Sequence, residues 1–128
     1  MKLLLDTHTF LWWTTDDPQL SATALDLIAD NRNTLYWSAA SSWEVSIKYA
    51  LGRLPLPEIP EQFLPAELGR NRIESIPIID AHAFQAGRLP RYHRDPFDRM
   101  LVAQAMIEGF GLITNDVHIR RYEVEAYW

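Results

Sequence analysis

Cysteine is absent from the 128 residues, so no disulfide, thiolate nucleophile or cysteine-based zinc site can form. That absence fits a reducing compartment, and it leaves oxygen atoms or the four histidines as the only metal donors. Lysine occurs only at Lys2 and Lys48, which removes the late-strand lysine that a phosphoacceptor signalling domain would need. Glycine is sparse, with five in all, and the chain has neither a Walker-type phosphate loop nor a Gly-rich dinucleotide loop. Long apolar runs are missing too. Met1-Lys2-Leu3-Leu4-Leu5-Asp6 holds three apolar residues between a lysine and an aspartate, too few for a signal-peptide core or a membrane span, so a cytoplasmic protein is expected. Positive charge is in deficit: a net charge of −5 argues against a nucleic-acid binder that spreads cations along a backbone. An enzyme that meets phosphate through a bound metal and a few local arginines remains compatible with it.

What is present is an ordinary globular mixture, 48% hydrophobic and 23% charged, at a length that suits one domain spanning residues 1–128. Lys2–Leu5 reads as a short buried strand ended by Asp6. Helices are expected over Thr7–Thr14 and Leu20–Ile28, the latter with Ser21 near its start. Thr34–Ser38 reads as a second strand, followed by a helix from Ser41 or Ser42 to about Leu51, closed by Gly52. Leu54 to Pro60 is too rich in proline for regular structure, and Glu61–Leu68 should be helical and end at Gly69. A third strand lies within Ile73–Ile79, at an edge because of Pro77. Asp80 can cap a helix to about Ala86, before Gly87 and Pro90. Asp95 followed by Pro96 opens a helix running to Glu108 and stopping at Gly109. Phe110–Thr114 is a fourth strand, Asp116–Arg120 a helical turn and Tyr122–Val124 a possible fifth strand. Strands alternating with helices of this length indicate an α/β fold: a three-layer α/β/α sandwich around a mainly parallel sheet of four to five strands.

In such sheets binding groups collect beyond the carboxyl ends of the strands, and four carboxylates stand at those places. Asp6 ends the first strand, Glu44 lies in the first turn of the helix after the second, Asp98 begins the long helix, and Asp116 follows the fourth strand by two residues. Gathering like charges is costly unless a cation or shared protons offset the repulsion. Hard oxygen donors without cysteine point to Mg²⁺ or Mn²⁺. Each carboxylate also has a structural reading. Asp6 can end a strand, Glu44 stands at capping-box spacing from Ser41, Asp98 suits the helix dipole, and Asp116 can cap the following turn. Asp95 reads as an N-cap rather than a ligand. Thr114 is either a strand residue or a hydroxyl that orients a metal-bound water, and Asn115 reads as a turn residue. Arg88, Arg91, Arg94 and Arg99 form either a solvated loop or a phosphate contact. Lys48 is placed to pair with Glu44 at i,i+4. His8 and His93 are able to donate to a substrate or to a carboxylate that supports the site but carry little weight as lone histidines, and Trp12, Trp13, Trp37 and Trp43 read as core or interface residues.

Four segments together resemble the PIN-domain family, and within it the VapC-type toxin ribonucleases. They are Leu4-Leu5-Asp6-Thr7-His8 with Phe10-Leu11-Trp12; Ser42-Trp43-Glu44-Val45-Ser46-Ile47-Lys48 with Gly52-Arg53-Leu54; His93 to Ala105; and Leu112-Ile113-Thr114-Asn115-Asp116. They span nearly the whole chain in family order. The resemblance implies a parallel sheet sandwiched by helices, with acidic metal ligands at Asp6, Glu44, Asp98 and Asp116 and a supporting hydroxyl at Thr114. It implies hydrolysis of RNA phosphodiester bonds with Mg²⁺ or Mn²⁺, a homodimer, and inhibition by a small cognate antitoxin.

On this reading water attacks the phosphodiester and the products carry 5′-phosphate and 3′-hydroxyl ends. A phosphatase working through an aspartyl-phosphate fits less well, because Asp6 is followed by Thr7-His8 in place of a second aspartate two residues on. The rival from another class is a catalytically silent module of the same fold that acts through protein contacts alone. Divalent-ion binding that vanishes with Asp6→Asn or Asp98→Asn separates the two.

Overall fold

Leu3 and Leu5 join one apolar cluster and Leu4 another, so a strand of four residues, β1 (Lys2–Leu5), already feeds cores on both faces of a sheet. The computed structural model describes residues Met1–Trp128. After β1 come α1 (Thr7–Thr14), α2 (Ala22–Ala29), β2 (Thr34–Ser38), α3 (Ala39–Ala50), α4 (Pro60–Arg70), β3 (Glu74–Ile76), α5 (Asp80–Arg88), α6 (Pro96–Glu108), β4 (Gly111–Ile113), a 3₁₀ turn at Ile119–Arg121, and β5 (Ala126–Tyr127). The strands form one sheet in the order β3-β2-β1-β4-β5, and every neighbouring pair is parallel. The expected α/β/α architecture is therefore present, with β3 at an edge.

One face of the sheet is covered by Phe10 of α1, Ala24 and Ile28 of α2, Val45 of α3 and Leu64 and Leu68 of α4, around the fully buried Trp37. The other is covered by Leu101, Val102, Ala103 and Ala105 of α6 with Leu89, Ile119 and Tyr122. Burial on both faces explains why β1 reads as an unbroken leucine run. Strand order advances outward from β1 through β2 to β3, then returns to the other side of β1 with β4. The β1–β4 junction is thus the switch point where a parallel sheet opens a crevice at its carboxyl ends. Asp6 N–H donates to Ile113 O at 3.1 Å, continuing that pairing one residue beyond β1.

Several boundaries differ from expectation. α3 begins at Ala39, capped by Ser38, whose hydroxyl accepts the Ala40 N–H. Ser41 lies inside the helix, bonded by the Thr7 hydroxyl at 2.7 Å. Glu44 is consequently the sixth helical residue and forms no capping box with Ser41; two serines in a row offered the pattern, but the buried end of β2 supplied the cap. Ile79 precedes α5 and Asp80 is its first residue. α4 and α5 continue past Gly69 and Gly87, where an exposed glycine costs a helix only about 1 kcal/mol. The fifth strand is Ala126–Tyr127 and not Tyr122–Val124, because Tyr122 turns into the core beside α6 while Tyr127 reaches the register of Ile113. Gly111 lets β5 approach: a Cβ there would lie 2.8 Å from the Tyr127 ring.

Candidate functional site

Asp6 leaves β1 in extended backbone and caps α1, with its carboxylate almost wholly buried. Its Oδ2 accepts a 2.6 Å hydrogen bond from Thr114 Oγ1, and that hydroxyl in turn accepts the Asp116 N–H at 3.0 Å. Thr114 follows β4, so one buried hydroxyl joins the two strands across the switch point. Asp116 Oδ1 accepts the His118 and Ile119 N–H groups at 2.7 and 3.0 Å. Its cap-like role is real, and its Oδ2 still faces the crevice.

Asp95 caps α6 as expected, its Oδ1 accepting the Phe97 and Asp98 N–H groups, and Pro96 occupies the first turn where no N–H is needed. That places Asp98 on the first turn, facing His93. His93 Nε2 lies 2.9 Å from Asp98 Oδ2 and 3.1 Å from Asp116 Oδ2. Ligand atoms of His93, Asp98 and Asp116 fall within 4.8 Å of one another, close enough to share one divalent cation. Glu44 is buried in α3, where Oε2 accepts from Lys48 Nζ at 2.7 Å, the i,i+4 pair read from spacing. Its Oε1 is buried with no hydrogen-bond partner.

Of the five site residues expected, Asp98 and Asp116 share the His93 cluster and Thr114 binds Asp6. Asp6 and Glu44 stand outside the 4.8 Å group but are felt electrostatically by Asp98. Burial, then repulsion from Asp6, Asp95, Asp116 and Glu44, pushes the Asp98 carboxyl up to about 8. Burial also raises Asp6, against the Thr114 hydrogen bond that lowers it. For Asp116 burial works upward, but the Ile119 and His118 N–H groups and His93 outweigh it and hold the carboxyl below its usual value. The fit to a hard cation rests on these raised carboxyls, the orphaned Glu44 oxygen and the oxygen-rich donor set.

His93, a lone histidine in the sequence, lies in the cluster with Asp98 and Asp116. Its signal is a histidine two residues before an N-cap aspartate, where Nδ1 can accept that residue's N–H; the structure has this bond at 3.2 Å. The arginines divide sharply. Arg99 donates to the carbonyls of Ala86, Leu89, Pro90 and His93 and to the Tyr122 hydroxyl, and is spent on holding the loop. Arg88 bonds Gln85, whereas Arg91 and Arg94 are exposed and line a groove of about 700 Å³ with His93. Trp37 is core, Trp12 and Trp13 pack on Trp128 and Phe10, and Trp43 stays 63% exposed beside Phe97.

The PIN domain model matches residues 3–125. The chain belongs to the PIN domain family. Among PIN-domain relatives, it is similar to the ribonuclease VapC22 of Mycobacterium tuberculosis, 29% identical over 94% of this chain and 91% of that one. The ribonuclease VapC16 of the same organism is 36% identical over 51% of this chain and 49% of its own length, so that match spans about half of each protein. In fold, this PIN domain resembles a chain of VapBC2 from Rickettsia felis bound to a promoter DNA fragment, with a TM-score of 0.72 at 21% identity over 99% and 98% of the two chains. No helix is long and apolar enough to cross a membrane.

Proposed function

We propose that this chain is a divalent-metal-dependent endoribonuclease that hydrolyses RNA phosphodiester bonds, and the toxin of a toxin–antitoxin pair. The observation that carries this reading is the gathering of Asp98 and Asp116 with His93, their ligand atoms within 4.8 Å of one another, beside the buried carboxylates Asp6 and Glu44, a cluster whose mutual repulsion a cation would relieve. Asp6, Asp98 and Asp116 would hold Mg²⁺ or Mn²⁺, with Glu44 close by. When bound, such an ion neutralises phosphate charge and lets water act as a nucleophile at neutral pH.

The chain's own groups do the rest. Thr114 holds the Asp6 carboxylate in place through its hydroxyl. Glu44 Oε1, which lacks any partner, would orient the attacking water or help to hold a second ion. Arg91 and Arg94 take phosphates beside the scissile one, since a guanidinium matches phosphate oxygens and neither is bound to a carboxylate. Water attack leaves 5′-phosphate and 3′-hydroxyl ends and gives the 2′-hydroxyl no role.

The names of VapC16 and VapC22 as ribonucleases support the activity. Solved relatives described as VapBC and toxin–antitoxin complexes support a cognate antitoxin as partner. Exposed Trp43 and Ile47 on α3 and Leu51 at its C-cap, spaced i, i+4, i+8, suit a contact surface in a homodimer or with that partner. The test is incubation of the partner-free chain with a mixed cellular RNA pool and Mg²⁺ or Mn²⁺, beside an EDTA control, with product ends mapped. Discrete cuts bearing 5′-phosphates only when metal is present are expected. Cuts that persist in EDTA, or that leave 2′,3′-cyclic phosphates, would refute the mechanism.

A further inference from the structure

His93 sits in the middle of the acidic cluster, and two roles compete for its ring: metal ligand or hydrogen-bond donor. A backbone N–H can only donate. The Asp95 N–H is 3.2 Å from His93 Nδ1, so Nδ1 must offer its lone pair, and a neutral imidazole then carries its proton on Nε2. That Nε2–H lies between two carboxylate oxygens, Asp98 Oδ2 at 2.9 Å and Asp116 Oδ2 at 3.1 Å. Ligation through Nε2 would require the proton on Nδ1, setting two N–H groups against each other at 3.2 Å.

The backbone on both sides of this contact is pinned. His93 N–H donates to the Tyr122 hydroxyl at 3.0 Å, and Tyr122 donates to Pro90 O at 2.6 Å. Arg99 Nη1 donates to His93 O at 3.3 Å. Asp95 cannot withdraw its N–H without disturbing the α6 cap formed by its own carboxylate. We infer that His93 is a positioning residue that donates Nε2–H to Asp98 and Asp116, aligning them for a cation without binding the cation itself. Each carboxylate oxygen has a second lone pair with which to meet the ion. The imidazole therefore acts as an outer partner of the ligands, the arrangement by which such partners tune metal sites.

The inference rests on the cation-site reading above, and one experiment separates the two. Electron spin echo envelope modulation is recorded on the Mn²⁺-loaded full chain, and Mn²⁺ affinity is measured for wild type, His93→Gln and His93→Phe, each verified as folded by circular dichroism. Gln retains an N–H donor at similar reach, and Phe has none. The expected spectrum has no coupling from a directly bonded nitrogen; His93→Gln binds Mn²⁺ within about fivefold of wild type, and His93→Phe binds at least tenfold more weakly. A directly bonded nitrogen signal that disappears in His93→Gln would overturn the donor role and leave the cation site standing. Equal affinity of all three proteins would also overturn it. Failure of wild type to bind Mn²⁺ would remove the cation site and this inference together.

Discussion

Thr114 Oγ1 donates to Asp6 Oδ2 at 2.6 Å, and because the same oxygen accepts the Asp116 N–H, a single hydroxyl sets two acidic residues from different strands relative to each other. The bond crosses the point where the strand order reverses, and both Asp6 and Thr114 are buried.

Thr114→Val keeps the shape of the side chain and removes the hydroxyl. It leaves a buried Asp6 oxygen and the Asp116 N–H without that partner, which should lower stability by about 1–3 kcal/mol. Cleavage should fall at least tenfold, as expected when an outer partner of a metal ligand is lost, while Thr114→Ser retains most of both. Urea unfolding and single-turnover cleavage measure the two effects, and wild-type behaviour of Thr114→Val would remove the role.

The raised carboxyls make the metal-free protein weaker in alkali than in mild acid. Asp98 titrates at about 8 in the fold against an ordinary 3.8, and Asp6 is raised as well. Between those values the folded chain binds more protons than the unfolded one, so stability falls as pH rises through the window from roughly 4 to 8. The slope approaches about 1.4 kcal/mol per pH unit for each proton held. Unfolding in EDTA at pH 5, 6.5 and 8 should show this decline. Asp98→Asn should flatten it and be the more stable protein at pH 8. For the same reason Mg²⁺ binding by wild type should release protons, detectable as a buffer-dependent binding enthalpy.

Legibility in the sequence followed the physical strength of each signal. β1 and the start of α6 were plain, because an apolar run ended by Asp6 and the Asp95-Pro96 cap have few alternatives. The α3 start was not, since Ser38, Ser41 and Ser42 can each cap and only packing of the β2 end against the core selects Ser38. β5 was displaced because Tyr122-Glu123-Val124 and Ala126-Tyr127 both suit a strand, and the Gly111 gap that admits Tyr127 is a tertiary fact. Asp6, Asp98 and Asp116 could be marked from their places after strands and at a helix start, whereas Glu44, expected in a first turn, lies at the sixth residue of α3. His93 could not be ranked above other histidines, because its importance lies in a 23-residue separation from Asp116 that the fold closes.

The arginines offer a clean contrast. Arg91→Gln with Arg94→Gln should leave thermal stability within about 0.5 kcal/mol, as for exposed positions, while weakening RNA binding and flattening its dependence on salt. Arg99→Gln should instead destabilise the fold by about 2–4 kcal/mol, because it strips charged donors from partly buried carbonyls at the end of α5 and in the loop before α6. Thermal melts beside fluorescence binding of a single-stranded RNA in EDTA distinguish the two classes. Equal loss of stability in both would contradict the division.

The most direct measurement is anomalous diffraction at the manganese edge from crystals of the chain grown with Mn²⁺, alongside Asp98→Asn crystals treated in the same way. A peak within coordination distance of Asp6, Asp98 and Asp116, weakened or lost in Asp98→Asn, is the expected result. A wild-type map with no peak among these carboxylates at saturating Mn²⁺ would contradict the assignment of a catalytic metal centre.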